Sequence, residues 1–257
     1  MMSEVKPQAP IKRLGLDLFD KGRVFVVGDV HGCLDLLMRG LEQINFNTSR
    51  DTLLSVGDLI DRGPRSFDAL RLLREPWFYA VRGNHEEMLL AAARSPENWK
   101  TLKENGGQWW FELAFEQQRE AVELAQSMPF AIELESPIGR VGVVHADLAN
   151  TINWDVFTYL VEAGDRRVIE AAAWGRKRIK AKDDSLVQDV ARVYAGHTIV
   201  PGPGRLGNVF YLDTGAFFIG IPSPAAPPCP ALTIAQVTCN SLDFSASQVK
   251  DGLRIIT

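Results

Sequence analysis

Short unbroken apolar runs alternate along the first third of the chain with stretches in which apolar residues return every three or four positions. RVFVVG (23–28) is β-branched and closed by glycine, which predicts a buried strand. In CLDLLMRGLEQI (33–44), Leu34, Leu37, Leu41 and Ile44 fall on one side of a helix. The order then repeats, with TLLSVG (52–57) before the helical SFDALRLLRE (66–75) and WFYAVRG (77–83) before EEMLLAAAR (86–94). Strand, loop and helix in this succession predict parallel βαβ units with right-handed crossovers.

Residues 106–128 have a helical pattern, and their aromatics Trp109, Trp110, Phe111 and Phe115 are expected to pack rather than to bind. Residues 130–147 predict a hairpin around SPIG, and 151–175 predict helix. VYAGH (193–197), NVFYLDTGAFFIGI (208–221) and ALTIAQV (231–237) predict further strands. PSPAAPPCP (222–230) reads as a surface loop, because its prolines cannot serve a sheet interior. The expected organisation is a ragged lead-in over 1–22, one domain over 23–240 and a tail over 241–257. The expected fold is α/β, a β-sandwich flanked by α-helices.

Composition narrows the field. Hydrophobic residues make up 46% of the 257 and charged residues 23%, as in ordinary globular proteins. A net charge of -4 disfavours a bulk binder of polyanions, so no nucleic-acid partner is expected. Cys33, Cys229 and Cys239 are odd in number and lack CxxC spacing, which predicts reduced thiols and a cytoplasmic location. No run approaches the ~18 apolar residues of a membrane span, so no membrane partner is expected. The oligomeric state is not legible.

The candidate chemistry lies at the strand exits. All four histidines, His31, His85, His145 and His197, follow predicted strands, where α/β sheets bind ligands. Asp29, Asp58, Asp61, Arg62, Arg82, Asn84 and Glu86 join them there. Imidazole with carboxylate suits Mn, Fe or Zn better than Ca. Six candidate ligands exceed one tetrahedral ion and suit two ions about 3.5–4 Å apart that share a carboxylate.

GDVHG (28–32), GDLIDRG (57–63) and RGNHE (82–86), then a histidine after a strand and a last one in GH (196–197), form an ordered set. Together they resemble the PPP-type metallophosphatases, the calcineurin-like phosphoesterases. HAD (145–147) and WGRKR (174–178) resemble the bacteriophage-lambda-type bacterial serine/threonine protein phosphatases in particular. The resemblance spans roughly residues 23–238, and the 222–230 loop and the stretch after 240 depart from it. It implies a β-sandwich metallophosphoesterase with two divalent ions, Mn first and Fe or Zn as alternatives. In it Asp29 and His31 bind the first metal, Asp58 bridges, and Asn84, His145 and His197 complete the second. His85 protonates the leaving oxygen with Asp61 orienting it. Arg62 and Arg176 hold phosphoryl oxygens, and Arg82 and Asn84 complete the substrate side.

On its own, Arg176 sits in a basic run with Lys177, Arg178, Lys180 and Lys182, and such a run is usually a solvated face. Glu86, Asp147 and Asp213 are expected to support the site. Cys33 is expected to pack, since a hydroxide activated by two metals needs no cysteine nucleophile. The activity the resemblance implies is hydrolysis of phosphoserine or phosphothreonine in proteins or peptides, with phosphotyrosine as a further class. One rival keeps the metal centre for symmetrical diadenosine tetraphosphate. Asp61 argues against it, because the second motif of those hydrolases usually lacks that aspartate. A second rival is a metal-binding regulatory module without catalysis.

Overall fold

The computed structural model describes residues 9–148, 153–238 and 248–257. In chain order, β1 (Ile11–Leu14) and α1 (Asp17–Lys21) precede β2 (Val24–Val27), α2 (Leu34–Gln43), β3 (Thr52–Ser55), α3 (Ser66–Arg71), β4 (Phe78–Ala80) and α4 (Asn84–Arg94). The helices α5 (Trp99–Glu104), α6 (Gln108–Phe111) and α7 (Phe115–Ser127) lead to the hairpin β5 (Ala131–Leu134) and β6 (Val141–Val144). Then come α8 (Trp154–Glu162), α9 (Arg166–Trp174), α10 (Lys177–Ala181), β7 (Arg192–Ala195), β8 (Gly204–Leu206) and β9 (Val209–Tyr211). The chain closes with β10 (Leu232–Gln236), β11 (Val249–Lys250) and β12 (Leu253–Ile256).

Among the described residues these strands form two six-stranded sheets, ordered β1-β5-β6-β7-β9-β8 and β11-β12-β10-β2-β3-β4. The predicted βαβ succession is present as β2, β3 and β4, paired in parallel. Side-chain alternation then builds the layers. Phe25, Val27 and Leu53 point to the helices α2, α3 and α4. Val24, Val26 and Leu54 face the other sheet and meet Ile132, Leu134, Val141, Val143 and Tyr194. The outer face of that second sheet is covered by Trp154, Phe157 and Val168 of α8 and α9. Strands buried on both faces explain why β2 and β3 read as continuous apolar runs.

Several expectations change. The segment expected as a lead-in supplies β1, which pairs in parallel with β5. The segment expected as a tail supplies β12, in parallel with β10, with Leu253 and Ile256 buried. Both strands are four residues long, too short for a period to stand out. The helix expected over 106–128 is two helices, and α5 before it is unpredicted. Phe115, expected to pack, opens α7 and is 68% exposed. The strand expected over 208–221 ends at Tyr211, and a 3-10 turn at Ala216–Phe218 follows Gly215, whose φ of 73 a strand cannot use.

Candidate metal centre

The chemistry-bearing residues gather at the carboxyl ends of five strands, three from one of the face-packed sheets and two from the other. Asp29 and His31 follow β2; Asp58, Asp61 and Arg62 follow β3; Asn84 and His85 open α4 after β4. His145 follows β6 and His197 follows β7. His31 (φ 44), Asp58 (φ 48), Asp61 (φ 71), Arg62 (φ 69) and His197 (φ 64) all occupy the left-handed region. Each such non-glycine residue costs on the order of 1 kcal/mol, and concentration of that cost in one place marks a site held against local preference. Two glycines are forced by the packing. A Cβ on Gly83 would stand 2.1 Å from Asp58 Oδ1, and one on Gly196 would stand 1.9 Å from Asp29 Oδ1.

Asp58 lies at the middle. Its Oδ1 is 3.4 Å from His145 Nε2, while its Oδ2 is 3.6 Å from His31 Nε2 and 3.9 Å from His85 Nε2. His31, Asp58 and His85 form one group whose ligand atoms lie within 4.8 Å of each other, and Asp58, His145 and His197 form a second. The shared residue is the carboxylate. Burial opposes ionisation of Asp58, but the neighbouring histidines, the proton-bearing His85 among them, and the His85 backbone N–H that it accepts at 3.0 Å outweigh it and hold the carboxyl well below the usual range.

The donor chemistry fits cations. His145 Nδ1 lies 2.8 Å from the Val56 carbonyl and must donate to it, which leaves Nε2 as a bare lone pair. That lone pair faces Asn84 Oδ1 at 2.9 Å, and His197 Nδ1 approaches the same oxygen at 2.8 Å. His145 Nε2 and Asn84 Oδ1, two acceptors at hydrogen-bond distance, suit a metal ion. His31 Nδ1 likewise donates to the Ile60 carbonyl at 2.8 Å, and its Nε2 accepts from Arg62 Nη1 at 2.8 Å. Burial lowers the pKa of His31, His145 and His197, that of His197 to about 3, which keeps these imidazoles neutral as metal ligation requires. Asp29, 3% exposed, accepts the His197 backbone N–H at 3.0 Å and stands beside the two groups rather than within either. Burial first, then Asp213 and Asp58, push its carboxyl well above the usual range. Asp213 is raised to about 6 by burial and by Asp58. Carboxylates crowded enough to stay raised despite Arg62 favour a cation for the same reason.

His85 differs from its neighbours. Asp61 Oδ2 holds its Nδ1 at 2.6 Å, and Trp109 Nε1 donates to Asp61 Oδ1 at 2.7 Å. Burial opposes the charged imidazole, but Asp58 and Asp61 outweigh it and raise the His85 pKa above its ordinary value. A raised pKa suits an imidazole that carries a proton.

Around this centre, Glu86 is fully buried and accepts the backbone N–H groups of Leu59 (2.8 Å), Gly83 (2.8 Å) and Asp58 (3.1 Å). It ties the GDLID and RGNHE loops together, in keeping with its expected supporting role. Arg176 is exposed, and its charge lowers the pKa of His145 and His197. Arg82 is not brought to the centre. Its guanidinium bonds Glu87 Oε1 at 2.9 Å and the Gln126 carbonyl at 2.8 Å, and stacks over Phe130. Arg178, expected on a solvated face, is 4% exposed, and donates to the carbonyls of Asp183 and Ser185. Asp147 accepts the Arg178 backbone N–H at 3.0 Å. Sequence reasoning missed Trp109 as a partner of Asp61. The usable signal was that a buried indole N–H seeks an acceptor.

A family model described as calcineurin-like phosphoesterase matches residues 22–201. Serine/threonine-protein phosphatase 1 of Salmonella typhimurium is 38% identical over 202 residues, covering 77% of this chain and 88% of its own. The symmetrical bis(5'-nucleosyl)-tetraphosphatase of Yersinia pestis is 49% identical over 69 residues, covering 26% of this chain and 24% of its own. A Saccharomyces cerevisiae protein serine/threonine phosphatase with similarity to human PP5 superposes with TM-score 0.57 at 16% identity, over 79% of this chain and 70% of that one. The last likeness speaks to the fold alone.

Proposed function

The chain belongs to the calcineurin-like phosphoesterase family, and from that premise we propose that it is a dinuclear-metal protein phosphatase acting on phosphoserine and phosphothreonine, with phosphotyrosine as a secondary class. The observation that carries this reading is Asp58, shared by two groups of metal-ligand atoms, one of which includes His85, whose other ring nitrogen is held by Asp61. The relative named as a serine/threonine-protein phosphatase, similar over most of both chains, supports the substrate class. The tetraphosphatase match covers a quarter of the chain, and Asp61, engaged with His85, is the residue the resemblance to those enzymes would leave out.

In this reading Asp29, His31 and Asp58 would hold one ion, and Asp58, Asn84, His145 and His197 would hold the other. Mn is the metal we favour, since the mixed imidazole and carboxylate set suits it. Two divalent ions, when bound, would supply Lewis acidity that lowers the pKa of water and polarises phosphoryl oxygens. The protein supplies the rest. Arg62 and Arg176 bind phosphoryl oxygens and offset the charge that grows on them. His85 delivers a proton from Nε2 to the departing ester oxygen, while Asp61, fixed by Trp109, holds the ring and stabilises its charge. Arg82 acts only by bracing α4 through Glu87. We read the compartment as cytoplasm from the cysteine pattern; Cys33 and Cys229 carry free thiols. Among the described residues no helix is long and apolar enough to cross a membrane.

The test compares a phosphoserine peptide with diadenosine tetraphosphate, using metal-stripped protein with and without added Mn. Peptide turnover restored by Mn is the expected result. Preferred cleavage of the dinucleotide would replace the substrate class.

A further inference from the structure

A groove of about 300 Å³ opens beside Arg62, its walls including Leu36, Pro64, Phe217, Ile219 and Ile221. Its inner end is the phosphate side of the candidate centre. Arg62 Nη1 bonds His31 Nε2 at 2.8 Å, and its guanidinium lies over the Phe217 ring at 4.4 Å. The same ring meets His31 edge-on at 5.1 Å. Phe217 therefore forms a continuous floor from the metal-facing imidazole to the open groove. At the outer end Ile219 and Ile221 are 38% and 53% exposed. Exposed isoleucines beside an arginine aimed at a phosphoryl group are apolar area left uncovered by the fold itself.

The walls select among occupants. Besides Arg62 the polar side chains of the groove stand at its rim, where Asp35 is bound to Arg65 at 2.6 Å and Arg39 is exposed, and the wall between them is apolar. An aliphatic or aromatic side chain needs only apolar area. Successive Cα atoms are about 3.8 Å apart, so the chain neighbour of a residue held by Arg62 is within reach of Phe217, whose ring lies 4.4 Å from that guanidinium and lines the groove with Ile219 and Ile221. Resting on the protein-phosphatase reading, we propose that this groove binds an apolar side chain adjacent to the phosphorylated residue, and that Ile219 and Ile221 set that preference.

The experiment measures kcat/KM for three substrates with the Mn-loaded protein: p-nitrophenyl phosphate, a phosphoserine peptide flanked by leucines, and the same peptide flanked by serines. The wild type is expected to favour the leucine-flanked peptide about tenfold, equivalent to about 1.4 kcal/mol. Ile219→Ser with Ile221→Ser should erase that preference and leave p-nitrophenyl phosphate turnover unchanged. Ile221→Glu should instead raise turnover of a lysine-flanked peptide over the leucine-flanked one, a gain that a damaged fold cannot produce. Equal rates for both peptides in the wild type, or a preference that survives both sets of substitutions, overturns the proposal. Cleavage of p-nitrophenyl phosphate and diadenosine tetraphosphate but of neither peptide overturns the protein-phosphatase reading itself, and the groove assignment with it.

Discussion

The two ends of the three parallel strands β2, β3 and β4 bury aspartates in opposite ways. At the amino-terminal end, before β3, Asp51 is 2% exposed and fully partnered. It accepts from the Arg23 backbone N–H at 2.9 Å, the Arg23 guanidinium at 2.6 Å and the Asn47 N–H at 3.0 Å. At the carboxyl end, Asp29 and Asp58 are crowded by Asp213 from the other sheet, and His145, also from that sheet, turns a bare imidazole nitrogen to the Asn84 amide oxygen. A buried carboxylate whose lone pairs are all answered by this chain serves the fold. Buried acceptors that converge on each other serve something the chain does not contain.

That contrast can be broken from either side. The largest effect is expected at Asp58. Asp58→Asn removes the charge common to both groups and should cost more than about 10³-fold in kcat/KM, beyond the roughly 10–100-fold of an outer-shell change, with little loss of melting temperature. Wild-type activity in that variant would refute the sharing.

Asp51→Ala should do the reverse, lowering stability by about 3 kcal/mol in urea titration while kcat stays within about twofold. Its pH signature is also fixed. Burial opposes ionisation of Asp51, but its bonds to Arg23 and Asn47 outweigh that and keep the folded pKa below the ordinary value. The stabilisation is thus present above the unfolded-state value of about 3.9 and fades as pH falls through the folded one. The stability gap between wild type and variant should narrow in acid. A gap independent of pH would remove the ion pair from the account.

His85→Asn should retain metal yet lose about 10²-fold on alkyl phosphates, and distinctly less on p-nitrophenyl phosphate, whose leaving group needs no proton. Equal losses on both esters would argue against the acid role. The smallest effect belongs to Arg176→Ala, about tenfold in KM with kcat changed less. Unchanged constants would take Arg176 out of the site.

The centre was more legible in the sequence than the scaffold around it. Asp29, His31, Asp58, Asp61, Asn84, His85, His145 and His197 could be read because each follows an apolar strand that itself stands out, and the structure assembles these residues at one place. Arg82 belongs to the same motif, yet its side chain lies with Glu87 and Gln126 on α4 and α7. A motif fixes spacing along the chain, and a long flexible side chain still chooses between two faces. β1 and β12 escaped notice because strands of four residues carry little periodicity, and β1 in addition lies at a sheet edge with its partner β5 far away in sequence. Trp109 escaped because an indole in a helical aromatic cluster is indistinguishable from core until its acceptor, Asp61, is seen 48 residues away.

The most direct measurement is a calorimetric titration of Mn into metal-stripped protein, counting ions per chain for the wild type and for Asp58→Asn. A carboxylate shared between two ligand groups predicts two ions in the wild type and fewer than two in the variant. A single ion in the wild type, or two in both proteins, would contradict it.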